Sequence, residues 1–159
     1  LDLRALRELP PRERRRLALD VNEAYLWHGS SPREAMSVSE RGFPAKLCGE
    51  VHGMFGDGAY FVDSAAHADE YSEDDREGYY MGDYAMLLCR VTLGKVQALE
   101  HADPAAHGRV GPGGDFDSTA GRREAAGGPV RELVVTRRVQ IYPEYVFLYE
   151  RVYKTPRVR

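Results

Sequence analysis

The 159-residue sequence predicts an α+β fold with mainly antiparallel strands: helical signals cluster early, strand signals cluster late, and no internal repeat of useful period breaks that division. The length is that of one domain with one proper core. Residues 1–21 are expected to form a short helical lead-in and residues 22–159 a single domain.

From Asp2 to Leu19, apolar residues at Leu3, Leu6, Leu9, Leu17 and Leu19 are interrupted by Pro10-Pro11, which predicts two short helical pieces. Ala24-Tyr25-Leu26-Trp27 is an apolar run with aromatic content, read as a buried strand ending at His28-Gly29-Ser30. Ser31 is placed to cap a helix that opens on Pro32 and stops at Gly42. Phe43 to His52 reads as a loop. Gly53, Gly56 and Gly58 then make a glycine-rich turn into the strand Ala59-Tyr60-Phe61-Val62. Asp63 or Ser64 caps a helix through Tyr71, and the acidic, tyrosine-rich Ser72 to Asp83 is loop. Ala85 to Leu93 is the clearest strand, with Val96 to Leu99 as its continuation beyond the Gly94-Lys95 turn. Glu100 to Pro129, rich in Gly, Ala, Pro and Asp, is expected to be a long surface excursion. Glu132 to Thr136, Val139 to Ile141 and Tyr145 to Tyr153 complete the strands.

Composition narrows the function classes. Hydrophobic residues at 43% and charged residues at 30% belong to a globular chain, not a disordered one. A net charge of -3 gives no overall positive field, so nucleic acid is not an expected partner. The Arg12, Arg14, Arg15 and Arg16 cluster, interleaved with Glu13, reads as a solvated helix face. No apolar run approaches the ~18 residues of a membrane span, and no secretory stretch opens the chain, so an intracellular location without membrane insertion is expected. Cys48 and Cys89 are too few for a structural zinc site and indicate no disulfide framework. A monomer is expected, and Leu1 in place of a methionine points to a domain of something larger.

Three stretches carry the functional signal: Leu26-Trp27-His28-Gly29-Ser30, Gly53-Met54-Phe55-Gly56-Asp57-Gly58-Ala59-Tyr60-Phe61, and Glu132-Leu133-Val134-Val135 ahead of Tyr142-Pro143-Glu144-Tyr145. Each alone is weak. A lone histidine is more often a hydrogen-bonded structural residue. The glycine turn lacks a phosphate-loop pattern and leads into a strand instead of a helix, so a Rossmann fingerprint is unsupported. Glu132 by itself is most often a solvated strand end. In combination, and with Met86 to Lys95, they make Asn22 to Tyr153 resemble the catalytic domain of the poly(ADP-ribose) polymerase family, with the tankyrases nearest in those motifs.

The resemblance implies two packed, mainly antiparallel sheets with flanking short helices around a cleft for NAD, and a His-Tyr-Glu triad on His28, Tyr60 and Glu132. It implies that the Gly29 backbone holds the nicotinamide carboxamide, that His28 and Ser30 sit beside the adenosine ribose, and that Tyr71 and Tyr60 flank the nicotinamide ring. Phe61 and Ala68 fall among the NAD-binding positions. The chemistry fits these residue types. Cleavage between ribose and nicotinamide develops an oxocarbenium-like cation, which a carboxylate stabilises in the transition state. Aromatic faces hold a flat cationic ring by about 0.5 to 2 kcal/mol.

Departures from the pattern matter too. Ala68 stands where the family has a serine that bonds the carboxamide, a loss of about 0.5 to 1.5 kcal/mol. His67 replaces the usual lysine, and Val130 and Arg131 stand where an aromatic precedes the glutamate; both weaken an acceptor site and favour transfer of a single unit or short chains. The tankyrase zinc ligands have no counterpart between Tyr71 and Met86, so NAD without a metal is expected. The loop containing Pro44 and Lys46 is expected over the donor site. The acceptor the resemblance implies is a protein side chain or an ADP-ribose chain. A catalytically weak module that binds NAD or ADP-ribose, and a scaffold that shares only the fold, are the alternatives.

Overall fold

The computed structural model describes residues 9–44, 53–125 and 128–153. Seven strands, β1 (Glu23–Ser30), β2 (Ala59–Val62), β3 (Tyr84–Thr92), β4 (Val96–Leu99), β5 (Ser118–Arg123), β6 (Val130–Val135) and β7 (Ile141–Tyr149), bond in the order β4-β5-β6-β2-β1-β3-β7. All neighbours are antiparallel except β4 and β5. Among the described residues, three short helices, Pro11–Arg14, Pro32–Arg41 and Ala65–Asp69, accompany them. The class is α+β, as the division of early helical and late strand signals predicts.

Pairing is dense within two halves and thin between them. β1 meets β2 only at Trp27↔Val62, whereas β1 follows β3 from Glu23↔Thr92 to Ser30↔Ala85. The chain leaves β3 at Thr92 and enters β4 at Val96. Such a step reaches at most about 14 Å. Were the sheet flat, the strand order would put β3 and β4 five spacings apart, roughly 24 Å. The hydrogen-bonded sheet therefore folds back at the β1–β2 seam into two packed layers, β4-β5-β6-β2 and β1-β3-β7. Bonds between the layers agree: Ser118 Oγ donates to Leu93 O (2.7 Å), and Gln140 Nε2 to Thr92 O (2.9 Å) and Asp117 O (3.0 Å). One apolar core draws on both, with Leu26, Leu87, Cys89 and Val91 from one layer and Phe61, Ala120, Leu133 and Val135 from the other. Each such large side chain contributes about 1.5 to 3 kcal/mol by leaving water.

Local rules explain the elements that position the site. Ser31 Oγ accepts from Glu34 N (3.3 Å), Pro32 opens the helix and Gly42 ends it at φ +73. Pro143 has no N–H for the ladder, and the β3–β7 register shifts there, leaving Glu144 as the extra residue between Cys89↔Pro143 and Leu88↔Tyr145. Its carboxylate accepts from Tyr25 Oη (2.8 Å) and pairs with Arg90 (2.9 Å) and Arg16 (2.7 Å). The Tyr-Pro-Glu-Tyr stretch is thus a latch holding the lead-in and β1 against β7.

Four readings are corrected. The second helical piece, after Pro10, reduces to Pro11–Arg14 and a 3-10 turn over Leu19–Val21, while the first lies almost wholly outside the described residues. β4 does not continue β3, because Gly94 (φ +55) redirects the chain to the opposite edge, where β4 runs parallel to β5. The excursion from Glu100 to Pro129 contains β5, whose Ser118, Thr119 and Ala120 are buried. Val139 sits in a 3-10 turn over Arg138–Gln140 before β7, which ends at Tyr149.

Candidate active site

Beyond Trp27, β2 no longer covers the edge of β1, and three adjoining cavities open along this seam. The first, about 720 Å³, lies over His28, Ser30, Glu34, Arg41, Phe43 and Pro44; the second, about 250 Å³, over Trp27, His28, Gly29, Val62, Tyr71 and Glu132. The third, about 430 Å³, is bounded by Gly53, Met54, Asp57, Tyr71, Arg123 and Glu132. Tyr60 lines all three. His28, Tyr60 and Glu132, far apart in sequence, thus meet on the wall of the middle cavity.

Glu132 is 3% exposed, on β6 directly opposite Gly121 of β5. A glycine there leaves its diagonal neighbour, Arg123, free to reach across the sheet face. Arg123 Nε donates to Glu132 Oε1 (2.8 Å), and its Nη2 donates to Glu70 Oε2 (2.9 Å). The Tyr71 hydroxyl donates to the same Oε1. Burial, and then the bond to Glu132, push the Tyr71 hydroxyl up to about 12, so it remains a donor at any physiological pH. The Arg123 pKa rises as well, chiefly through Glu70, with burial opposing and Glu132 adding. Arg123 also sits 5.5 Å from the centre of the Tyr71 ring, covering one of its faces.

His28 is wedged between Phe43 and Phe61, at ring separations of 5.2 and 5.4 Å. Its Nδ1 lies 2.8 Å from the Tyr60 carbonyl oxygen. A carbonyl only accepts, so Nδ1 carries the proton. Burial lowers the pKa of the ring, against the opposing pull of that bond and of Glu34, which favours the neutral form. Nε2 is then a lone-pair acceptor suited to a hydroxyl. The Tyr60 hydroxyl donates to Gly56 O (2.7 Å) and accepts from Phe55 N (3.0 Å), so the glycine turn anchors the ring. The turn needs its glycines: Gly56 has φ +92, and a Cβ on Gly53 would lie 2.0 Å from Tyr60 Oη.

Gly29 approaches the Ala65–Asp69 helix so closely that a Cβ would stand 2.2 Å from Ala68 O. Two positions expected at the NAD site do not line these cavities. Phe61 alternates with Tyr60 along β2 and points into the core at 1% exposure. Ala68 is fully buried in an apolar group with Val62 and Val130. His67 is likewise absent from the three walls. Pro44 borders the large cavity, while Lys46 and Cys48 lie outside the described residues. Sequence reasoning missed Arg123 and Glu70. The available signal was the Arg122-Arg123 pair, hidden in a stretch read as surface. Among the described residues, no group of three or more His, Cys, Asp or Glu is placed to hold a metal, and no helix is long and apolar enough to cross a membrane.

Comparison with known proteins agrees with the fold. Residues 7–127 match the family model described as the poly(ADP-ribose) polymerase catalytic domain, a span that includes His28, Tyr60, Tyr71 and Arg123 and stops before Glu132. A Caenorhabditis elegans protein named poly [ADP-ribose] polymerase tankyrase is 34% identical over 84 residues, 51% of this chain and 4% of that protein. Proteins named protein mono-ADP-ribosyltransferase PARP12 are 29% identical in Mus musculus, over 86% of this chain, and 31% identical in Homo sapiens, over 81%. The chain spans between 4% and 18% of the length of these relatives. With its family match extending over most of its length, the chain belongs to the poly(ADP-ribose) polymerase catalytic domain family.

Proposed function

We propose that this domain is an ADP-ribosyltransferase that moves ADP-ribose from NAD to an acceptor and releases nicotinamide, with Glu132 as the residue on which the chemistry turns. The observation that carries this reading is the placement of a buried carboxylate, fixed by Tyr71 and Arg123, where the 250 and 430 Å³ cavities meet. Gly29 borders the smaller cavity, which suits the nicotinamide, held by the Gly29 backbone and flanked by Tyr60 and Tyr71. The 720 Å³ cavity suits the adenosine end, with Ser30 and Nε2 of His28 as partners for ribose hydroxyls. The 430 Å³ cavity, on the far side of Glu132, then receives the acceptor.

In the reaction, the C1′–N bond breaks with its electron pair leaving on nicotinamide. Positive charge appears on the ribose, and Glu132 stabilises it where little water screens it. A lone pair of the acceptor bonds to C1′, and the acceptor proton passes to the carboxylate or to solvent. Two relatives bear the name mono-ADP-ribosyltransferase, and Val130 packs into the apolar group with Ala68 instead of offering an aromatic beside the acceptor. Both favour transfer of a single unit or short chains to a protein side chain.

The test is incubation of the domain with labelled NAD, wild type against Glu132→Gln, read by nicotinamide release and on a denaturing gel. Label on wild type that collapses in the variant supports the reading, and a single band supports single-unit transfer. NAD binding with no nicotinamide release from either protein would leave a binding module, the reading that the missing hydroxyl at Ala68 favours.

A further inference from the structure

We propose that Arg123 is a positioning residue for Glu132, holding the carboxylate through one oxygen so that the other faces the substrate; this rests on the transferase reading above. Both bonds that fix Glu132, from Tyr71 Oη and from Arg123 Nε, fall on Oε1. Oε2 takes none of the hydrogen bonds seen among the described residues, and Glu132 borders the two cavities assigned to donor and acceptor. A carboxylate bonded through a single oxygen to a rigid partner has its plane and its second oxygen aimed, which is what a transition-state contact needs.

Arg123 is itself held. Its side chain is 21% exposed and bridges Glu132, at 4%, to Glu70, at 45%. The guanidinium suits this task, because Nε and Nη2 point to different acceptors at fixed angles. Two carboxylates share one cation, so the group keeps a net negative charge beside the place where the ribose cation forms. Glu70 thus acts at a distance: it fixes Arg123, which fixes Glu132.

The experiment measures kcat and KM for nicotinamide release from NAD in wild type, Arg123→Gln, Arg123→Lys and Glu70→Gln, with thermal unfolding of each. The expected result is a kcat for Arg123→Gln about tenfold or more below wild type, the scale of one lost charge-assisted hydrogen bond, with KM within about twofold because Arg123 itself lines neither cavity assigned to NAD. Arg123→Lys recovers part of that loss, and Glu70→Gln, a change at the exposed end, loses a smaller factor in kcat with KM again held. If Arg123→Gln does not fold, the lysine and Glu70 variants carry the same readout. Unchanged or raised kcat in the folded variants overturns the inference while leaving the transferase reading intact, and the same holds if KM rises with kcat unchanged. A wild-type protein that releases no nicotinamide overturns both.

Discussion

Replacing Gly29 with alanine tests the joint between β1 and the helix that follows β2. The new Cβ would stand 2.2 Å from Ala68 O, 2.8 Å from Tyr71 Cβ and 2.9 Å from Tyr71 C. The nearest of these is a main-chain atom, so no rotamer change relieves the contact, and the Ala65–Asp69 helix with Tyr71 must move away by about 1 Å to regain ordinary van der Waals separation. Overpacking of this kind costs about 1 to 3 kcal/mol. For a domain of this size each kcal/mol lowers Tm by about 2 to 4 °C, so Gly29→Ala is expected to melt roughly 2 to 12 °C below wild type. The second consequence is functional. Tyr71 donates to Glu132, and a displacement of about 1 Å at a reacting centre costs up to about a hundredfold in rate. Calorimetry and nicotinamide release on the same preparations check both effects. A variant with unchanged Tm and unchanged kcat/KM would refute the close approach and, with it, the coupling of the helix to Glu132.

Two further predictions concern His28 and Ala68. Burial depresses the His28 pKa, so its contribution to stability is complete above the unfolded value of about 6.5 and is lost as pH falls toward the folded value. Urea midpoints at pH 7.5 and 5.5 should therefore fall further in wild type than in His28→Gln, and equal losses would contradict a buried neutral ring. Ala68→Ser restores the hydroxyl that the family pattern places before Tyr71. Among Val62, Val130 and Trp27, and on none of the three cavity walls, it has little to bond to except its own helix, so the protein should lose stability slightly and nicotinamide inhibition should stay within about twofold of wild type. Inhibition about 2- to 13-fold tighter, the equivalent of about 0.5 to 1.5 kcal/mol, would show instead that a carboxamide reaches this spot.

What the sequence reveals here depends on whether a residue's signal is local. β1, β2, β3 and the Pro32–Arg41 helix are written in apolar runs and a Ser-Pro start, which are read within a few residues. β5 is not. Ser-Thr-Ala-Gly-Arg-Arg has few of the branched or aromatic side chains that favour strands, because Phe55 fills the space over Gly121: a Cβ there would lie 2.3 Å from its ring. The small residues that hide the strand are the ones its burial requires. The residues of β4 read as strand, but their place does not, since nothing local in Gly94-Lys95 says that the chain crosses to the other layer. The motifs single out His28, Tyr60, Glu132 and Tyr71, whereas Arg123 reaches Glu132 only along a diagonal across β5 and β6 and has no signal to single it out before β5 is known.

The seam between the layers joins these observations into one account. A sheet paired at a single position between β1 and β2 is free to bend there, and the bend buries Phe61, Leu133 and Val135 against Leu26 and Leu87. The same bend uncovers the edge of β1 at His28 to Ser30, so core formation and cleft formation are one event. Tyr60 stands at that point with its carbonyl on His28 and its hydroxyl on the glycine turn, and its ring borders every cavity of the cleft. β2 also pairs Val62 with Glu132, so the strand that carries Tyr60 fixes the height of the carboxylate. The height of the Glu132 carboxylate between the two cavities it borders is thereby set by main-chain pairing, and side chains such as Arg123 and Tyr71 have only the aim of that carboxylate left to determine.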